Sequence, residues 1–96
     1  MRKKPGSPVL EVTGDATIRH EHGIDTRLAR DIRHRVRTLE CEATIETPQG
    51  KVADARSLLH LLLLGVAVGE TVVVRCRGPE AVIAREAIVA LVEGRS

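Results

Sequence analysis

Cys41-Glu42-Ala43-Thr44-Ile45-Glu46-Thr47-Pro48-Gln49-Gly50-Lys51-Val52-Ala53-Asp54-Ala55 is the stretch on which the reading of the fold turns. Cys41, Ala43 and Ile45 share one side of an extended chain, and Glu42, Thr44 and Glu46 share the other. This is the period-2 pattern of a strand buried on one face only. Thr47 to Gly50 is turn chemistry, with proline and glycine in place to reverse the chain. Lys51 to Ala55 then returns as the partner strand of a hairpin.

Upstream of the hairpin, Ala29, Ile32, Val36 and Leu39 recur at helical spacing with Leu28 beside them. Asp25 stands where the N-cap of this helix belongs, able to accept backbone N–H bonds and suited to the positive end of the helix dipole. Arg35 falls close to the Leu28 side of the wheel and must snorkel or sit at the rim. Before the loop Glu21-His22-Gly23-Ile24, residues 8–20 read as extended, with Gly14-Asp15 a candidate break between a lead-in segment and a strand proper. Residues 1–7 read as a flexible tail, leaving residues 8–96 as one domain.

Downstream, Ser57 opens a short helix from Leu58 to about Leu64, and Gly65 is placed to end it. Thr71 to Arg77 is a second alternating strand, with Val72, Val74 and Cys76 on one face. Gly78-Pro79 starts the last helix, with Pro79 at its first position. Its buried stripe is Ala84, Ala87, Ile88, Leu91 and Val92, while Arg85, Glu86 and Glu93 face water. The order is β-α-β-β-α-β-α. One-faced helices and alternating strands together specify an α+β open-faced sandwich, a four-stranded antiparallel sheet with helices on one face. A right-handed crossover through the first helix leaves room for Thr71–Arg77 between the two strands it joins. Cys41 and Cys76 then approach each other on the helix side, most simply as two buried hydrophobes rather than a redox pair or metal ligands.

Composition removes several function classes. The 96 residues suffice for one core, with 43% hydrophobic and 29% charged residues typical of a globular chain. There is no Phe, Tyr or Trp, which removes any stacking platform for single-stranded nucleic acid. The apolar run from Leu58 to Val68 is far shorter than the ~20 residues that span a bilayer. Two distant cysteines make neither a disulfide framework nor a metal pattern, and the basic start is followed by no apolar signal segment. These readings imply a cytoplasmic protein with no metal, no cofactor, no membrane insertion and no nucleic-acid partner. The formal net charge is +2, but Arg27, Arg30, Arg33, Arg35 and Arg37 stand against Asp31 alone within residues 26–39. That cluster reads either as a solvated helix face or as a docking face for an acidic protein surface.

Gly23-Ile24-Asp25-Thr26-Arg27-Leu28-Ala29 resembles the active-site motif of the phosphocarrier HPr family: glycine, an aliphatic residue, histidine, a small residue, arginine, proline, alanine. Ala55-Arg56-Ser57-Leu58-Leu59, with Leu62, Leu64-Gly65 and Gly69-Glu70-Thr71-Val72 behind it, resembles that family's regulatory-serine region. The likeness runs from about Val12 to Val92. It implies a component of the bacterial phosphoenolpyruvate-dependent sugar phosphotransferase system. There a histidine at the start of the first helix takes a phosphoryl group from the system's first enzyme and passes it to a sugar permease.

Here Asp25 occupies the acceptor's position, and Leu28 replaces the proline. Arg27 matches the arginine that holds phosphoryl oxygens. Asp25 is expected to act as a helix cap; an acyl-phosphate acceptor and a fixed charge imitating phosphohistidine are the alternatives. His22 lies before the glycine, whereas the family acceptor follows it by two positions. His20 and His22 lack further ligands for a metal, and His34 and His60 read as ordinary helix residues. Ser57 matches the serine that an ATP-dependent kinase modifies in HPr proteins, with Leu58, Leu59 and Leu62 as an adjoining apolar patch. The expectation is a regulatory or docking protein whose partners, phosphotransferase-system proteins or the serine kinase, meet Arg27, Arg30 and those leucines. The alternative is an active phosphocarrier using His22 or Asp25.

Overall fold

The computed structural model describes residues 10–95, so the expected 1–7 tail lies outside the described residues. The chain runs β1 (Glu11–Thr17), α1 (Thr26–Arg37), β2 (Glu42–Glu46), β3 (Val52–Asp54), α2 (Leu58–Leu62), β4 (Thr71–Arg77) and α3 (Ala81–Val92). The four strands form one sheet in the order β1-β4-β2-β3, every neighbouring pair antiparallel. The expected fold class is therefore the observed one, with β4 lying between β1 and β2.

Alternation sets the two faces. Ala43 and Ile45 of β2 and Val72, Val74 and Cys76 of β4 are buried beneath the helices. On the open face Arg75 of β4 reaches Glu46 at 3.5 Å and Glu11 at 3.9 Å on its two neighbouring strands. Such exposed pairs contribute at most about 1 kcal/mol each, so they position strands more than they stabilise them. With no aromatic side chain available, the core is built of Ile18, Ile32, Ile45, Leu61 and Ile88 packed with valines and alanines.

Four features differ from the sequence reading. β1 runs unbroken through Gly14, which pairs with Val74. The missing side chain makes room for a neighbour: a Cβ on Gly14 would stand 3.0 Å from Arg85 Cδ, and Arg85 Nη1 donates to the Thr13 carbonyl at 3.3 Å. Pro79 precedes α3 instead of opening it. Glu80 takes the N-cap position, and its carboxylate accepts the Glu40 N–H at 2.7 Å instead of capping its own helix. The buried stripe of α3 is Ala81, Ala84, Ile88 and Val92, with Ala87 and Leu91 half-buried. Glu93 is also drawn inward. Its carboxylate accepts the Thr17 N–H at 3.2 Å, joining the end of β1 to the end of α3.

That bond from Thr17, ahead of the one from Arg95, holds the Glu93 carboxyl below its ordinary 4.5. A carboxyl lowered in this way stabilises the fold above 4.5, and the contribution is lost as pH falls through the lowered folded value. Glu93→Gln is expected to flatten the acid limb of a stability–pH curve below about pH 4.5. Identical acid limbs in variant and parent would show that the Thr17 bond is not made.

Cys41 and Cys76 are both free and buried. Burial pushes the Cys41 thiol up, and burial together with neighbouring Cys41 pushes Cys76 up to about 11. At pH 8 the native protein is expected to resist iodoacetamide at Cys76, with alkylation appearing on denaturation. Rapid native labelling of Cys76 would contradict this packing.

Candidate functional site

The N-terminus of α1 is built by the loop that leaves β1. Gly23 turns the chain with φ 68 and lies so close to the Val66 carbonyl that a Cβ would run into that oxygen. Ile24, next along, is buried and anchors the loop in the core. Asp25 follows with extended backbone (φ −89, ψ −176), and its Oδ1 accepts the Leu28 N–H at 3.0 Å. The carboxylate thus satisfies a donor that the first helical turn leaves unpaired, and its charge sits at the positive end of the dipole.

Asp25 and Arg27 line one recess of about 370 Å³, together with His20, Glu21, His22, Leu28, Asp31, Leu91 and Gly94. Three carboxylates therefore face a single guanidinium. Among the described residues Arg27 makes no ion pair. His20 Nε2 donates to the Leu91 carbonyl at 2.7 Å, since a carbonyl can only accept. Among the described residues no group of three or more candidate metal ligands gathers around His20 and His22. His22 is exposed and lines the recess.

Along α1 the arginines separate. Arg30 and Arg37 are exposed, Arg35 is exposed as its rim position requires, and Arg33 is half-buried. The Nε of Arg33 is shielded from water and has no hydrogen-bond partner. Arg30, Arg33 and Arg37 share a groove of about 490 Å³ with Asp31, His34 and Thr38.

Ser57 is the N-cap of α2, its Oγ accepting the His60 N–H at 3.1 Å. Arg56, just before it, spans back to the segment between α1 and β2: its Nη2 donates to the carbonyls of Cys41 at 2.9 Å and Leu39 at 3.3 Å. Leu58 is half-buried, whereas Leu59 is 62% and Leu62 37% exposed, so the latter two form an apolar patch beside the serine. Leu61, not these, enters the core. Leu63, 63% exposed, extends the patch, and Leu91, read in the sequence as part of a buried stripe, walls the recess with Gly94. The helical period of Leu59 and Leu63 indicates the first; no local signal marks the other two.

These features define a small open-faced α+β domain in which Asp25 and Ser57 cap the starts of α1 and α2. Residues 12–94 match the family model described as the PTS HPr component phosphorylation site. The chain belongs to the HPr family of the phosphotransferase system. It is 39% identical over 71 residues to phosphocarrier protein HPr of Chlamydia trachomatis, covering 74% of this chain but 64% of that protein. To the HPr of Vibrio cholerae it is 36% identical over 73 residues, covering 76% of this chain and 85% of the relative. Phosphocarrier protein NPr of Klebsiella oxytoca is 30% identical over 82 residues, covering 85% and 91% respectively. The crystal structure of HPr from Bacillus anthracis superposes with a TM-score of 0.79 at 23% identity, over 85% of this chain and 96% of that one, which establishes the fold. No helix among the described residues is long and apolar enough to cross a membrane.

Proposed function

We propose that this protein acts in the cytoplasm as a regulatory or docking member of the phosphotransferase system and does not relay phosphoryl groups through histidine. One observation carries the reading: at the start of α1, within the segment that resembles the family's acceptor motif, the side chain is the Asp25 carboxylate, already engaged with the Leu28 N–H. A ring nitrogen forms a phosphoramidate of high transfer potential. A carboxylate forms an acyl phosphate, chemistry that ordinarily relies on a metal ion held by companion carboxylates. Partner docking falls to Arg27 and Arg30 on α1 and to Leu58, Leu59 and Leu62 on α2.

Ser57 is the proposed point of control. A phosphate there would meet the free N–H groups of a helix start and add about two negative charges beside the leucine patch. Incubation with the HPr serine kinase and ATP is expected to add one phosphoryl group, lost in Ser57→Ala. No mass gain in the parent would remove the regulatory role.

His22 favours a second reading, because it shares the recess with Arg27: an active carrier with an atypical acceptor. Incubation with phosphoenolpyruvate, magnesium and the system's first enzyme separates the two by intact mass. The docking reading expects no gain. An acid-labile adduct mapped to His22, or a hydroxylamine-labile one on Asp25, would overturn it.

A further inference from the structure

We propose that the protein distinguishes the two states of a partner whose own active site carries a transferable phosphoryl group, binding when that site is empty and being repelled when it is charged. The inference rests on the docking reading above and adds to it the state of the partner. It starts from where charge is fixed. The bond from the Leu28 N–H to Oδ1 holds the Asp25 carboxylate at the mouth of the recess, and Asp25 is exposed, so its charge meets whatever docks at the start of α1. Glu21 and Asp31 line the same recess against the single guanidinium of Arg27. An incoming phosphoryl group, itself about two negative charges, would find the Leu28 donor taken and a surplus of carboxylates around it.

The rest of the helix is net positive. Arg30, Arg33 and Arg37 outnumber Asp31 in one groove and make no ion pair among the described residues. An acidic partner surface is drawn to them whatever its phosphorylation state. The stripe therefore supplies attraction, and the recess supplies the discrimination, which is how charge juxtaposition sets specificity at interfaces. The partner's active site, when empty, presents the cationic and donor groups that otherwise hold a phosphoryl group. Those groups suit the Asp25 carboxylate.

The test is calorimetric titration of the full chain against the first enzyme of a phosphotransferase system. The enzyme is used in its discharged form and in the form kept charged by excess phosphoenolpyruvate. Affinity for the charged form is expected to be about 30-fold weaker. Asp25→Asn keeps a capping oxygen and so keeps the helix start, but it is expected to narrow the gap to about threefold. Equal affinities, tighter binding of the charged form, or a gap unchanged in Asp25→Asn would overturn the inference while leaving docking intact. Absence of binding to either form would overturn the docking reading itself.

Discussion

Gly23→Ala is expected to destabilise the protein by about 3 kcal/mol or more and to weaken partner binding at the start of α1. Two costs add at this position. A φ of 68 is open to glycine but strained for alanine, and the new methyl would point into the carbonyl oxygen of Val66. The neighbouring atoms are backbone, between the end of α2 and β4, so they cannot rotate out of the way as a flexible side chain would. Relief must come from the loop itself, which carries Ile24 into the core and Asp25 to its cap. Urea unfolding of parent and variant measures the effect. A loss below about 1 kcal/mol would mean that the loop and the Val66 segment are not in contact as described. The same contact ties the chain after α2 to the loop from which α1 begins.

Asp25→His is expected to give a protein that accepts a phosphoryl group from the system's first enzyme, where the docking reading expects none for the parent. Apart from Leu28 in the proline's position, the family's motif is in place: Gly23 before it, Arg27 two residues after it, and a helix start behind it. The substitution gives up a good cap, so a stability loss of about 1 kcal/mol accompanies it. Phosphorylation by phosphoenolpyruvate and the first enzyme, followed by intact mass, should rise from blank to nearly one group per chain. Glu21 and Asp31 still face the new imidazole. Removing one of these charges, as in Asp25→His with Glu21→Gln, should speed the transfer. Failure of Asp25→His to label, in a variant that folds and binds the enzyme, would show that the recess lacks more than its nucleophile.

Much of this was readable in the chain. The alternation of Cys41 to Glu46 and of Thr71 to Arg77 fixed which face is buried, because a period of two leaves no second register for the side chains. Asp25 and Ser57 were recognisable as caps because each is a short oxygen-bearing side chain immediately before an apolar helical pattern. Gly14 misled because glycine in a strand signals either a break or a close approach, and only the tertiary position of Arg85 decides between them. Pro79 misled for a related reason: Glu80 serves the Glu40 N–H, a partner 40 residues away that no local rule reveals. The carboxylate-rich recess was invisible as a unit, since Asp31 joins it one helical turn on and Leu91 and Gly94 arrive from the other end of the domain.

A capping carboxylate stands where the family motif has its relay nucleophile, and a complete relay reads the consequence. Radiolabelled phosphoenolpyruvate, the first enzyme and a sugar-permease acceptor domain are combined with the wild-type chain as the sole carrier, and label on the acceptor is counted. The account predicts no label above the carrier-free blank, and label restored by Asp25→His. Label reaching the acceptor through the wild-type chain would contradict it.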